Sequence, residues 1–145
     1  MKIQETVSFA LSRVSTAYRS ALERHMDGVG LHGGQVFVLM ELWKQDGQRQ
    51  VDLAARIGVS TPTINKIILG LVNGGIVQRI RLENDARSTR IFLTDVGTAL
   101  KEPVEAQWHE LEENTVSGLT EAERLILFEL LQKMKNLYSG SEEMD

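Results

Sequence analysis

Apolar side chains recur at spacings of three and four residues along most of the chain, which predicts a mainly helical protein. The repeat predicts helices over residues 3–26, 34–45, 51–57 and 60–73, followed by two long helices after residue 94. Residues 76–82 and 89–94 instead show partial alternation, and a polar turn separates them. The pattern therefore predicts a mainly α protein with one small β-hairpin.

The stretch from residue 50 to residue 94 has the layout of a winged helix-turn-helix. Ser60 is a good N-cap for the helix that follows, and Pro62 falls in its first turn, where a missing N–H costs nothing. Gly58, Gly74 and Gly75 stand where helices are expected to end. Two short helices, a glycine turn and a hairpin that carries basic residues are parts that suit DNA binding.

Three further signals mark the helices after the hairpin. Thr94 can cap a long helix, and Val96 is expected on its apolar stripe. Pro103 predicts a kink or a break into two pieces within that helix. Thr120 and Glu123 form a capping box that predicts the start of the last helix. Residues 139–145 are polar and acidic, and we expect them to form a flexible tail.

The helices at the two ends of the chain carry excess apolar surface. A compact core of this size cannot cover all of it, so we interpret residues 1–30 and 95–138 as dimerisation helices. In a two-fold homodimer these ends would interdigitate with those of the second copy. Residues 31–94 would form the DNA-binding lobe, and the whole chain would be one compact domain.

Charge is distributed unevenly along the sequence. The formal net charge is −4, which is unusual for a protein that binds nucleic acid. From Arg49 to Arg90, however, seven Lys/Arg stand against three Asp/Glu, whereas the remainder has nine against seventeen. The basic part therefore coincides with the helix-turn-helix and the hairpin, which favours DNA as the partner.

Several classes of protein find no support in the sequence. There is no cysteine, so disulfides and thiolate metal sites are excluded. No secretory signal and no membrane-spanning apolar run are visible, so a soluble cytoplasmic protein is expected. The glycines lack the context of a phosphate-binding loop and no Ser/His/Asp arrangement stands out, so we expect neither an enzyme nor a cofactor. His25, His32 and His109 do not share a helical face at ligand spacing, so no metal site is expected.

Residues 85–97 resemble the wing signature of the MarR (multiple antibiotic resistance regulator) family. Asp85 and Arg87 match its Asp-x-Arg, residues 91–94 match its aliphatic-x-Leu-Thr, and Gly97 matches the glycine that follows. The resemblance is specific over residues 51–97 and covers the whole chain in helix order. It implies a winged helix-turn-helix transcription regulator that acts as a homodimer on near-palindromic double-stranded DNA. It also implies a repressor relieved by a small molecule, although the sequence alone does not decide between repression and activation.

By this resemblance, the helix over residues 60–73 is the recognition helix that enters the major groove. Its first turns carry the side chains able to meet bases and phosphates, which are Ser60, Thr61, Thr63, Asn65 and Lys66. Asn65 could read adenine bidentately and Lys66 could equally meet a phosphate. Ser60 could be only a helix cap.

The arginines of the segment are further candidates. Arg87 resembles the wing arginine that reaches the minor groove, with Asp85 orienting its guanidinium; the alternative is a local surface ion pair. Five others are candidate phosphate contacts or merely solvated charges: Arg49, Arg56, Arg79, Arg81 and Arg90. Family members often have a basic residue near Gly70. Here the glycine costs on the order of 1 kcal/mol in helix propensity relative to alanine.

A ligand site follows from the resemblance more than from the residues. Small aromatic or phenolic anions bind such proteins between the dimer helices and the winged lobe. Arg13, Tyr18, His32 and Phe37 could line such a cleft, or they could be a surface arginine and core aromatics. The competing function is a winged-helix module that binds a protein and has no specific DNA site, which the acidic total and Gly70 favour slightly.

Overall fold

A computed structural model describes residues 1–81 and 88–142, with side chains through residue 139. A short 3-10 turn, Ile3–Glu5, precedes the first helix. The helices are α1 (Val7–Asp27), α2 (Gln35–Lys44), α3 (Gln50–Ile57), α4 (Thr61–Asn73), α5 (Asp95–Ala99), α6 (Lys101–Val116) and α7 (Glu121–Glu142). The strands are β1 (Gln48–Arg49), β2 (Val77–Arg81) and β3 (Thr89–Leu93). The predicted mainly α fold with a small β wing is confirmed.

The sheet has three strands, one more than the predicted hairpin. Its order is β1-β3-β2, and both pairings are antiparallel. In β1, Gln48 pairs with Ile91 and Arg49 pairs with Arg90. The apolar pattern indicates only a turn between the helix over residues 34–45 and the one over residues 51–57, which is wrong for Gln48 because it lies in β1. A strand of two residues carries no alternation, and its partner lies far away in the sequence.

The core lies where α2, α3 and α4 pack on one another and on the sheet. Its fully buried large side chains come from these helices, from β3, from α1 and α6, and from the segment between α1 and α2: Met26, Leu31, Leu39, Leu42, Leu53, Ile64, Ile68, Leu71, Ile91 and Leu111. On α4 the buried residues follow the predicted spacing of three and four. Their burial fixes the rotation of α4 about its own axis and so decides which side chains face outward.

The ends of α3 and α4 follow the predicted signals. Gly58 closes α3 in the left-handed conformation, with φ of 73°. Ser60 caps α4 and Pro62 lies in its first turn. At the other end, Gly74 remains right-handed and Gly75 takes the left-handed conformation, with φ of 71°. Local sequence therefore sets the length of both helices.

The helix after the wing breaks into two, as Pro103 predicted, but the break lies earlier. The α5 helix ends at Ala99, Leu100 separates the two pieces, and Pro103 occupies the first turn of α6. There the missing N–H leaves no hydrogen bond unmade, so proline is tolerated where it would disrupt a helix interior. Val96, expected on the apolar stripe, is 55% exposed in the single chain.

The chain divides into two compact units, Met1–Leu111 and Glu112–Asp145. Within the second unit, the predicted capping box is present at the start of α7. The Thr120 amide donates to Glu123 Oε1 at 2.9 Å, and the Glu123 amide donates to Thr120 Oγ1 at 3.2 Å. The α7 helix continues to Glu142, so the first part of the segment expected as a flexible tail is helical. Among the residues placed here, no helix has the length and apolar content needed to cross a membrane.

Candidate nucleic-acid interface

The outer face of α4 presents four of the five predicted recognition residues. Thr61, Thr63, Asn65 and Lys66 are exposed, while Ile64 faces the core between them. This division follows from the helical period, because the buried positions recur every three or four residues along the opposite face. The first two turns of α4 therefore offer hydroxyl, amide and ammonium groups to the surroundings.

Ser60 lies just before α4 and serves as its N-cap. Its Oγ accepts a hydrogen bond from the Thr63 amide at 3.3 Å and donates to Thr63 Oγ1 at 3.0 Å. The serine is also exposed. The cap interpretation of Ser60 is therefore confirmed, and its exposure leaves a phosphate contact open as a prediction.

A cleft of about 460 Å³ lies between the exposed start of α4, α3 and the sheet. It brings together four predicted site residues, Thr61 and Asn65 of α4 with Arg79 and Arg81 of β2. Val51, Ala54 and Ile64 supply apolar lining, and Gln50 and Thr89 complete the wall. The two arginines are exposed. The exposed face of α4 at this cleft is polar and bordered by cations. Such a face can contact both the base edges and the phosphates of a DNA duplex.

Gln50 was missed by sequence reasoning, although it contacts the central residue of this face. Its Nε2 donates a hydrogen bond to Asn65 Oδ1. Its Oε1 is buried and has no hydrogen-bond partner within the part of the chain described. No periodicity or motif marks a glutamine at the first position of a short helix, so only the fold reveals the pair.

The other candidate arginines are engaged within the lobe. Arg49 makes two hydrogen bonds to the Asp52 carboxylate, of 3.0 and 3.2 Å. The hydrogen bond from Arg49 holds the pKa of Asp52 below its ordinary value. Burial opposes this by raising the pKa, and the nearby charges of Arg49, Arg56 and Arg90 lower it further. Arg90 Nη1 donates to the Gly47 carbonyl at 2.9 Å.

A glutamine side chain connects these contacts to α2. Arg56 Nη1 donates to Gln48 Oε1. Gln48 Nε2 in turn donates to the backbone carbonyls of Glu41 and Gln45, each at 2.8 Å. Arg56 and Arg90 thus help to hold β1 against the lobe, whereas Arg79 and Arg81 line the open cleft. Nothing in the sequence distinguishes these arginines from one another, but in the structure their surroundings differ.

The base of the wing is held rigidly. The Thr94 hydroxyl lies 2.6 Å from the Gly75 carbonyl oxygen and 2.9 Å from that of Ile76, and it accepts from the Gly97 amide at 3.2 Å. Trp43 Nε1 donates to the Gly97 carbonyl at 3.0 Å. A β-carbon on Gly97 would lie 2.2 Å from the Ile76 oxygen, so only glycine fits. Asp85 and Arg87, predicted for the wing, fall outside the described residues.

Gly70, which departs from the family pattern, has a packing reason. A β-carbon there would lie 2.7 Å from Gln35 Nε2, at the start of α2. The Gln35 side chain is itself oriented, because its Oε1 accepts from the His32 amide at 2.8 Å. A side chain at position 70 would therefore displace the Gln35 amide from its present place. Lys66 is the one basic side chain on α4.

The four ligand candidates are not gathered in one cleft. Arg13 lies over the Phe9 ring at 5.8 Å, and Tyr18 is half-buried on α1. His32 is exposed and its Nδ1 lies 2.9 Å from Asp27 Oδ1. Phe37 packs edge-on against Trp108, with ring centroids 6.3 Å apart. Of the three clefts described in this section, a single one is lined by any of these candidates. It lies between the start of α2 and α4, and His32 is the candidate in its lining.

A third cleft, of about 500 Å³, lies between α2 and α6. Two tryptophans, Trp43 and Trp108, and two lysines, Lys44 and Lys101, share its lining with Met40, Val104, Glu105 and His109. The Lys44 ammonium lies 3.8 Å from a Glu41 oxygen and the Lys101 ammonium lies 3.9 Å from a Glu105 oxygen. Aromatic surface with cations at its rim suits a flat anionic molecule.

Comparison with known proteins assigns the family. Residues 32–89 match the MarR family. The HTH-type transcriptional regulator BilQ of Clostridium symbiosum is 30% identical over 112 residues, which cover 77% of this chain and 76% of that protein. The chain belongs to the MarR family. The family resemblance stated from the wing signature is thereby confirmed.

A second relative is similar in sequence, and a solved structure is similar in fold. The HTH-type transcriptional regulator TtmR of Methylorubrum extorquens is 32% identical over 131 residues, covering 88% of this chain and 64% of TtmR. The fold matches that of BpsR from Bordetella bronchiseptica with a TM-score of 0.83 at 24% identity, over 93% of this chain and 96% of BpsR. MarR-family relatives are transcriptional regulators and not enzymes, which confirms the non-enzymatic interpretation.

Proposed function

We propose that this MarR-family chain is a homodimeric regulator that binds near-palindromic double-stranded DNA and represses transcription until a small molecule relieves it. One observation carries the proposal. The first turns of α4 hold Thr61, Asn65 and Lys66 on an exposed face beside the exposed Arg79 and Arg81. Side chains of this kind on the first turns of a recognition helix meet base edges and phosphates in the major groove.

Each group in this surface has a proposed task. Thr61, Thr63 and Asn65 meet base edges, while Ser60 and Lys66 meet phosphate oxygens at the entry to the groove. Arg79 and Arg81 supply phosphate contacts from the strand, since both line the open cleft. Arg56 and Arg90 are proposed as weaker contributors, because each already donates to a group within the lobe. Arg87 is proposed for the minor groove, with Asp85 orienting it, on the family signature alone.

The proposed dimer rests on uncovered apolar side chains. The α7 helix leaves seven large apolar residues at least 43% exposed: Leu125, Ile126, Phe128, Leu130, Leu131, Leu137 and Tyr138. Near the N-terminus, Ile3, Val7 and Val14 are more than 60% exposed. Exposed apolar side chains in this number need a partner, and a second copy provides the same side chains in return. Two lobes would then meet half-sites one or more helical turns apart, roughly 10 base pairs for each turn.

The proposed ligand site is the cleft between α2 and α6. The DNA binding of the structural neighbour BpsR is regulated by 6-hydroxynicotinic acid, a flat aromatic molecule. In this chain Trp43 and Trp108 would stack on an aromatic ring, and Lys44 and Lys101 would meet an anionic group. Since α2 packs directly on α4, a ligand that moves α2 would move the reading face and release the operator.

Footprinting on the DNA upstream of the chain's own coding sequence tests DNA binding, and a salt titration follows at the protected site. The affinity should fall steeply with salt as counterions are released, and Arg79→Ala should reduce the logarithmic salt slope by about 1. Lys135→Ala, which removes an exposed charge from α7, is the matched control and should leave the slope unchanged. Equal binding to every duplex, with no protected site, would instead favour the protein-interaction module.

The ligand part has its own experiment. A panel of aromatic carboxylates is titrated while tryptophan fluorescence and operator occupancy are followed together. An effective ligand should change both, and Lys101→Ala should weaken the fluorescence response while operator binding without ligand stays the same. A ligand that alters occupancy with no change in fluorescence would contradict the proposed cleft.

A further inference from the structure

We propose that Gln50 is a positioning residue that decides which base edge Asn65 reads, so that the pair selects guanine over adenine. This inference rests on the proposed function, since it requires α4 to enter the major groove. It differs from the sequence-based expectation that Asn65 reads adenine with both the oxygen and the nitrogen of its carboxamide. The observation behind it is the hydrogen bond between the two side chains.

The geometry of the pair fixes the orientation of the Asn65 carboxamide. Gln50 Nε2 donates to Asn65 Oδ1, so the oxygen of Asn65 is directed at α3. The oxygen and the nitrogen of a carboxamide leave its central carbon in different directions. With Oδ1 directed at Gln50, Nδ2 lies on the other side of the group, and Asn65 as a residue is exposed. The group that remains for a partner is therefore an N–H₂ donor.

In the major groove, adenine and guanine require different hydrogen-bonding groups from an asparagine side chain. Adenine offers an acceptor, N7, and a donor, the N6 amino group, so a bidentate asparagine must use both its oxygen and its nitrogen. Guanine offers two acceptors, N7 and O6, which an N–H₂ group alone can satisfy. An asparagine whose oxygen is held by a neighbour matches guanine and leaves the adenine amino group without its acceptor.

Gln50 is well placed to hold this orientation. It begins α3, whose core residues Leu53 and Ala54 are buried, so its backbone is fixed by packing. Its Oε1 is buried with no hydrogen-bond partner among the residues described, so the bond to Asn65 is its one side-chain hydrogen bond there. Arg79 and Arg81 line the same cleft and add positive charge, which also favours the acceptor-rich edge of guanine.

A charge-carrying analogue of Gln50 should reverse the selection. Gln50→Glu presents only acceptors, so Asn65 should turn its Nδ2 toward the carboxylate and its Oδ1 toward the base. Duplexes randomised over the footprint are selected with the wild-type chain and with each variant. The base pair that Asn65 contacts is identified as the one at which Asn65→Ala loses the base preference of the wild-type chain. The wild-type chain should favour guanine there by roughly ten-fold over adenine, and Gln50→Glu should favour adenine or cytosine, whose amino groups are donors.

Two controls separate positioning from charge and from folding. Gln78→Glu adds the same charge to an exposed position of β2 and should weaken binding to all duplexes without changing the preferred base. Gln50→Met keeps the length but removes both polar atoms, and the preference should then relax toward equality while thermal unfolding stays cooperative. Side-chain amide NMR should show the Gln50 Nε2 resonances shifting on Asn65→Ala.

The outcomes divide cleanly. A wild-type preference for adenine at that position, or a guanine preference that survives Gln50→Glu, would overturn the positioning of Asn65 while leaving DNA recognition intact. Asn65→Ala without effect on any base preference would overturn it as well. If the wild-type chain protects no specific site, the proposed function itself fails and the inference fails with it.

Discussion

The helices α2 and α7 both carry large apolar side chains, but these lie in opposite environments. In α2, Val36, Val38, Leu39 and Leu42 are all buried inside one chain. In α7, none of the side chains described, those of residues 121–139, is buried. The same three-and-four repeat therefore records packing within the lobe in one helix and an uncovered surface in the other. In a helical protein of this size, periodicity identifies an apolar face but leaves the identity of its partner to be determined.

The largest expected effect comes from a charge on the uncovered face of α7. Leu130→Asp should weaken self-association by roughly a hundred-fold or more, because symmetry places two such carboxylates in the interface and each lost leucine removes about 1.5–3 kcal/mol of burial. Sedimentation equilibrium measures the association, and operator affinity should fall with it.

Asn136→Asp is the control for that experiment. Asn136 lies on the polar side of α7 with Glu129 and Lys133, so the same charge there should leave the dimer intact. If Leu130→Asp still sedimented as the wild type does, the apolar face of α7 would not be the dimer interface.

Within the lobe, Gly97→Ala should be the most damaging small change. The added methyl group would lie 2.2 Å from the Ile76 carbonyl oxygen and 3.1 Å from Leu93 Cδ2, so backbone must move. We expect a loss of about 2–3 kcal/mol in the free energy of unfolding, measured with urea. Gly118→Ala, where a β-carbon meets nothing within 4 Å, should be nearly neutral. Equal stability of the two variants would show that the base of the wing is less rigid than described.

A moderate effect is expected at the start of the recognition helix. Ser60→Ala removes the side-chain acceptor for the Thr63 amide and should cost about 1 kcal/mol. Ser60→Asp keeps an acceptor at the N-cap and should retain the stability, although its charge should weaken DNA binding. Urea unfolding and operator titration on the same samples separate the cap from the phosphate contact. If Ser60→Ala were as stable as the wild type, the Ser60 side chain would not stabilise α4 as its N-cap.

The smallest effect is a pH dependence in α7. Backbone and side-chain hydrogen bonds from Thr120 lower the pKa of Glu123 below its ordinary value of 4.5. A lowered pKa in the folded state means that the carboxylate contributes stability above about pH 4.5, and this contribution is lost as the pH falls through the lowered value. In a plot of the unfolding midpoint against pH, Glu123→Gln should therefore reduce the fall of the midpoint at acid pH. An unchanged fall would show that the capping box does not titrate with folding.

The local parts of the fold could be predicted from the sequence. Ser60, Pro62 and Gly58 act within four residues of themselves, so the limits of α3 and α4 followed from their chemistry alone. The same holds for the capping box at Thr120 and Glu123. Pro103 predicted a break, but its position depended on where the first turn of α6 could accept the proline.

The nonlocal parts could not be predicted. Strand β1 exists because Gln48 pairs with Ile91, and no pattern in a two-residue strand shows this. Arg90 looked like the other arginines until the fold placed the Gly47 carbonyl 2.9 Å from it. The same is true of the site, where the exposed face of α4 followed from periodicity but the Gln50 partner of Asn65 did not. The ligand candidates were chosen by residue type, and the fold does not bring them to one cleft.

Gly70 bears on how such a regulator could be given a new operator. Since the Gln35 amide occupies the space where a β-carbon would stand, a recognition helix transplanted from a relative with a basic residue there would require the Gln35 side chain to turn aside. Gln35 also accepts a hydrogen bond from the His32 amide, so this turn would break a contact at the start of α2. Retargeting by such a helix therefore calls for Gln35 to be redesigned together with it.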